Sequence, residues 1–279
     1  MPRGPFSVPS DFSRSGDGIS DHLPALWADT RGTISMSDLQ LTSRQAPVTE
    51  ARLAGLAYLA IIFAGIFTEV VVRSAVFAPG DPGATIANIL GAEQLYRIGF
   101  VADLLLLACD VIVAVFLFRI LRPAGTSLAL LAAAFRLVMA AMLGVNAMNH
   151  LAPLTLMQNT EGLTALTTPY LQNLGYLSLR AHGALYAAGL VYFGMACALI
   201  GVSILRSTFL PRFLGVLMLI AGFCYLVNSF AGFLLPSFAS MLFPYILLPS
   251  LLAELSLSIW LLIRGINRDR WVAQARSAA

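Results

Sequence analysis

Lysine does not occur in this sequence of 279 residues, and all 17 basic residues are arginine. Charge of either sign is scarce at 11%, against roughly 25% in a soluble globular domain. So few charges cannot cover a water-facing surface of this size, which argues against a soluble enzyme. A nucleic-acid partner is likewise not expected, because no basic stripe on a polar surface can be read. Cysteine is rare too. Cys109, Cys197 and Cys224 each sit alone in an apolar run, so no disulfide framework is legible. The sequence also lacks a His-Glu-x-x-His metalloprotease motif, a Gly-x-Ser-x-Gly elbow and a phosphate-binding glycine loop. With no nucleophile to assign, catalysis is not expected, and no cofactor is expected.

What is present in excess is apolar. Hydrophobic residues make up 58% of the chain and the mean hydropathy is +0.82, which points to an integral membrane protein. A spanning helix needs about 20 residues at ~1.5 Å rise to cross a ~30 Å hydrocarbon core. Six runs meet that length: Leu53–Val72, Ile98–Phe118, Leu128–Leu151, Ala181–Leu205, Phe213–Leu235 and Phe243–Ile263. The expected fold is therefore all-α, a six-helix transmembrane bundle in contact with the lipid bilayer. Residues 50–267 form the membrane domain and residues 268–279 a cytoplasmic tail. Residues 1–49 are rich in Ser, Pro, Gly, Asp and Arg without apolar periodicity, and read as a disordered cytoplasmic tail. No apolar stretch of signal-peptide type follows the early arginines. Met36 is an alternative start, which makes residues 1–35 dispensable or not native.

Arginine placement gives an orientation. Arg44, Arg52, Arg119, Arg122, Arg206, Arg212, Arg264, Arg268, Arg270 and Arg276 flank one side of the six-span arrangement, and only Arg73, Arg97 and Arg180 flank the other. By the positive-inside rule both termini are expected in the cytoplasm, with the protein in the cell inner membrane. The short connections Arg119–Ser127 and Arg206–Arg212 predict antiparallel hairpins. The longer ones, Arg73–Arg97 and Ala152–Arg180, are expected to cap the outer ends of the bundle. The first of these contains the turn cluster Pro79-Gly80-Asp81-Pro82-Gly83, followed by an amphipathic stretch Ala84–Leu90.

Ionisable side chains in spanning helices cost about 2.5–3.5 kcal/mol each at the helix centre, so they face the bundle interior and find partners. The candidate polar cluster is Glu69, Asp103, Asp110, Arg136, Asn149, His150, His182 and Glu254, with Asn146 beside it. Counting residues places Asp110, Arg136 and Glu254 near mid-span, and Glu69, Asp103, Asn149, His150 and His182 in the outer half. Four carboxylates against one deep arginine leave a charge imbalance that protons or a cation must correct. One reading is a helix clamp in a structural or regulatory protein, Arg136 being pinned by Asp110 and Glu254. The other is a polar pocket that binds or moves a small solute or a proton. A metal or haem site on His150 and His182 is not expected, because no Cys or carboxylate lies at ligand spacing in the sequence. Pro249, five residues before Glu254, is expected to kink the last span.

Three segments resemble a known family: Leu53-Ala54-Gly55-Leu56-Ala57-Tyr58-Leu59, Phe209-Leu210-Pro211-Arg212-Phe213-Leu214-Gly215 and Glu254-Leu255-Ser256-Leu257-Ser258-Ile259-Trp260-Leu261-Leu262. In this order they are similar to a bacterial integral-membrane family that carries only a domain-of-unknown-function name. The similarity runs from about Ala51 to Asn267 and includes Asp103, Asp110 and Arg136. It implies a bacterial multi-pass membrane protein and no particular activity.

Overall fold

The computed structural model describes residues 36–158 and 166–278, with side chains from Pro47 onward. Of the expected tail of residues 1–49, residues 1–35 lie outside the described residues, while residues 36–49 are helical and belong to the first helix. Among the described residues no strand occurs. Ten α-helices follow one another: α1 (Met36–Ile66), α2 (Ser74–Val76), α3 (Pro82–Gly91), α4 (Glu93–Leu121), α5 (Thr126–Gln158), α6 (Thr168–Arg206), α7 (Arg212–Leu234), α8 (Pro236–Leu242), α9 (Leu248–Ile263) and α10 (Arg268–Ser277). The seven residues Phe67–Arg73 between α1 and α2 wind as a π-helix, so one span runs continuously over Pro47–Val76.

Six helical segments are long and apolar enough to cross a membrane: Pro47–Val76, Glu93–Ala124, Thr126–Gln158, Thr168–Arg206, Arg212–Leu234 and Tyr245–Ile263. Large apolar side chains such as Phe63, Val145, Phe223 and Leu252 point outward, and a bilayer is what covers such a surface. The protein is therefore a multi-pass membrane protein. The turns Arg122–Gly125 and Ser207–Pro211 join α4 to α5 and α6 to α7 as antiparallel hairpins. These turns and α10 define an arginine-rich end, and α3 marks the opposite, loop end.

Two expectations need correction at the loop end. Ala152–Arg180 is not a separate cap: α5 continues to Gln158 and α6 begins at Thr168. Leu171, Leu174 and Leu177 lie in α6 and prolong that span, with Pro169 in its first turn, where a missing N–H breaks no helical bond. Pro249 likewise lies in the first turn of α9 and opens that helix instead of kinking it. In the other long connection, the amphipathic stretch does form a helix. Asp81 caps α3, its Oδ1 accepting from the Ala84 N–H at 2.8 Å. Ile86 and Ile89 of α3 then pack with Val72, Val76, Tyr96 and Leu154 in a small core of their own.

The main core runs through the rest of the bundle and includes Tyr58, Val113, Met139, Cys197, Met218 and Leu257. A tight seam joins α6 to α7. A Cβ on Gly201 would stand 2.7 Å from the Gly215 carbonyl oxygen, and one on Gly222 2.7 Å from that of Gly194. The two backbones therefore touch at two levels, as small residues allow. At the arginine-rich end, Gly265 at φ +64 turns the chain out of α9, and α10 lies across the hairpin turns. The Trp271 indole N–H donates to the Ile120 carbonyl at 2.8 Å. Gln274 accepts from the Thr208 N–H at 2.8 Å and donates to the Arg206 carbonyl at 3.1 Å.

Candidate functional site

The polar residues of the spans fall into two groups. The central group is built around Arg136 on α5, which meets Asp110 of α4 at 2.5 Å, each side chain being 1% exposed. The Arg136 guanidinium also lies over the rings of Tyr58 (4.6 Å) and Phe193 (5.0 Å). No guanidinium nitrogen has an aligned hydrogen-bond acceptor, nor do the Asp110 oxygens or the Tyr58 hydroxyl have aligned partners. The contact is thus a close ion pair set against two aromatic rings, where cation–π attraction replaces part of the lost hydration. Glu254 of α9 accepts from the Tyr225 hydroxyl of α7, and the Tyr225 ring stands edge-on to Phe193 of α6 at 5.1 Å. All six spans contribute to this group.

One expectation changes here. Among the described residues Arg136 makes its ion pair with Asp110 alone, and Glu254 is held by Tyr225. Arg136 lies on α5, whose direct neighbours are α4 and α6. α9 packs against α7 and the first span, and from α7 the Tyr225 hydroxyl reaches Glu254. The cavity next to Arg136, lined by Ala114, Leu117, Ala132 and Ile200 among others, measures about 10 Å³. That is about one water molecule.

The second group lies toward the loop end. Arg73, in the π-helical stretch, places Nη1 2.7 Å from Glu69 Oε2 and Nη2 3.1 Å from Asp103 Oδ2. The same Nη2 lies 2.9 Å from His182 Nε2. His150 brings Nδ1 to 3.7 Å from Asp103 Oδ2 and sets its ring edge-on to His182, centroids 5.7 Å apart. Tyr96 stacks on His150 at 4.3 Å and donates its hydroxyl proton to the His150 carbonyl. Asn146 donates to the His182 carbonyl at 2.9 Å and accepts from Asn149 at 3.1 Å. Glu69, Asp103, Asn149, His150 and His182 are thereby brought together, whereas Asp110, Arg136 and Glu254 are not part of this group.

The histidine tautomers follow from their partners. His182 Nδ1 faces the Asn146 carbonyl at 3.3 Å and therefore carries the proton, which leaves Nε2 to accept from Arg73. His150 Nε2 faces the Tyr96 carbonyl at 3.5 Å, which leaves Nδ1 directed at Asp103. His150 stands 24 residues beyond the start of α5 at Thr126, and His182 24 residues before the end of α6 at Arg206. At ~1.5 Å per residue both lie about 36 Å from the arginine-rich end, which is at the headgroup level of a ~30 Å hydrocarbon core.

Counting along the sequence placed Arg73 at the rim and did not enlist it. The signal was its spacing from Glu69, four residues on a helix. In the π-helical stretch, a form common at functional sites, Arg73 reaches Asp103 while Glu69 stays exposed. Tyr96 and Tyr225 gave no signal, since their partners are remote in sequence.

These observations define a multi-pass, six-span membrane protein with one sealed ionic pair at mid-depth and one polar group near an end whose Arg73 and Asp103 are partly exposed. The chain belongs to the family described as Domain of unknown function (DUF4386), whose model matches residues 53–265. A protein of Archaeoglobus fulgidus, described as uncharacterized, is 27% identical over 161 residues, which is 58% of this chain and 80% of the relative. That relative is archaeal, so it lends no support to the bacterial source implied by the resemblance. No solved structure matches.

Proposed function

We propose that this protein binds a small polar or charged solute at the loop-end group, and that the central group is a clamp holding the six spans in register. The observation that carries this reading is the contrast in access. Arg73 and Asp103 are 22% and 17% exposed, at a depth where water and headgroups reach, while Asp110 and Arg136 are sealed. A solute at the loop end meets the Arg73 cation and the Asp103 and Glu69 carboxylates without entering the hydrocarbon layer, with the His150 and His182 rings buried behind them. The water-sized cavity beside Arg136 supports the clamp reading of the central group, since it offers no room for a solute to pass.

The positive-inside rule supports an arrangement in the cell inner membrane with the arginine-rich end and both termini in the cytoplasm. The solute site then faces outward. Reporter fusions after Arg122 and Arg270 are expected to read cytoplasmic, and one near Gly80 external. A cytoplasmic reading at Gly80 overturns the orientation. Solute binding is tested by a thermal-shift screen of organic cations, anions and neutral polar solutes in metal-free buffer. The expected hit stabilises the wild type and loses its effect in Asp103→Asn. A screen in which no solute distinguishes the two proteins refutes the reading.

A further inference from the structure

Asp103, His150 and His182 come from three spans, and their ligand atoms lie within 4.8 Å of one another. Each imidazole has the orientation that a metal ligand needs. His182 gives its Nδ1 proton to the Asn146 carbonyl and His150 its Nε2 proton to the Tyr96 carbonyl. The other ring nitrogen of each points into the group. Metal-bound histidines are fixed in this way, the second ring N–H being given to a carbonyl or carboxylate. His150 Nδ1 then sets a lone pair against Asp103 Oδ2 at 3.7 Å, an arrangement that a positive charge between them relieves. Of the three residues, Arg73 reaches Asp103 and His182 but not His150.

The geometry points to Asp103, His150 and His182 as a binding site for a divalent transition-metal ion of the zinc type, with Arg73 as the cation that gives way to it. This rests on, and narrows, the solute-binding reading of the same group. Two imidazoles and one carboxylate suit zinc or iron(II), whereas calcium and magnesium take oxygen ligands. With bonds of about 2.0–2.2 Å, tetrahedral donors stand about 3.3 Å apart, so side chains within 4.8 Å of one another need only a modest inward movement. Arg73 has somewhere to go: its Nη1 already holds Glu69, which is 58% exposed. Three protein ligands leave the fourth position open to water or a further ligand, as in catalytic zinc sites.

The test uses the full chain in detergent or nanodiscs, with Zn²⁺ followed by calorimetry and Co²⁺ by its visible absorption. One ion per chain is expected. His150→Ala and Asp103→Asn should each weaken binding at least as much as the loss of a supporting shell residue does, about 10–100-fold. Arg73→Gln should tighten it, because the competing cation is gone. No stoichiometric binding by either the wild type or Arg73→Gln overturns the proposal, as does binding unchanged by His150→Ala. Should a variant fail to fold, zinc X-ray absorption on the wild type decides: outer-shell scattering from two imidazoles is expected, and its absence refutes the site. A metal-free screen that yields an organic solute sensitive to Asp103→Asn, together with no zinc binding, removes the metal and leaves the solute reading standing. Failure of both removes both.

Discussion

Helix α4 carries two aspartates two turns apart, and each meets an arginine, yet the two pairs differ in nearly every other respect. Asp110 and Arg136 are buried among the six spans, with the Tyr58 and Phe193 rings against the guanidinium. Asp103 and Arg73 are partly open, share their charges with Glu69, and face two histidines whose tautomers are set by backbone carbonyls. About 10 Å of helix separates them. The same residue types thus serve as a fastening where nothing can enter and as a binding surface where something can. Depth in the bundle, more than chemical identity, sorts the two.

The comparison is broken most directly at Arg136. Arg136→Ala leaves Asp110 buried without a counter-charge, and a loss of about 3–5 kcal/mol is expected from buried pairs of this kind. Denaturation in detergent measures it. The double variant Asp110→Asn with Arg136→Gln should recover part of that loss, and strict additivity of the two single losses would rule out direct pairing. Next in size is Tyr225→Phe, which strands the Glu254 carboxylate in the interior. A cost of about 1–3 kcal/mol is expected, while zinc or solute binding at the loop end stays as in the wild type. Asp103→Asn sharpens the contrast from the other side. Partial exposure holds its effect on stability to about 1 kcal/mol or less, but ligand-induced stabilisation should vanish. The smallest effect belongs to Glu69→Gln, under about 0.5 kcal/mol at an exposed pair, readable only as a change in how firmly Arg73 competes with a bound ion.

The six spans were legible because hydropathy sums over some twenty residues and tolerates a few charges. The Asp110–Arg136 pair was legible because both residues lie about three turns from the tight α4–α5 turn, so antiparallel packing sets them level. Other features resist such counting. The π-helical stretch changes the register between Glu69 and Arg73, and no periodicity of 3.6 residues foretells it. Tyr225 reaches Glu254 through the neighbour relation of α7 and α9, which loop lengths alone do not specify. The third ligand of the histidine group, Asp103, is 47 residues from His150 in the chain (150 − 103) and becomes adjacent only when α4 lies beside α5. The extension of α5 and α6 past the expected spans is not announced by the sequence, because α5 runs on through Pro153 in its interior and α6 opens on Pro169 in its first turn.

The glycine seam has a mechanical consequence. Helices whose backbones meet at two levels seven residues apart can neither roll nor slide against each other, so α6 and α7 form a fixed wall, and His182 stands on it. Gly55 pins the start of the first span to α9 in the same close manner, and in the π-helical stretch Val72 fits against Gly99 of α4, where an added Cβ would stand 2.7 Å from the valine. The loop-end group is therefore framed by helices gripped on both sides, and a ligand there meets side chains whose backbones are already set.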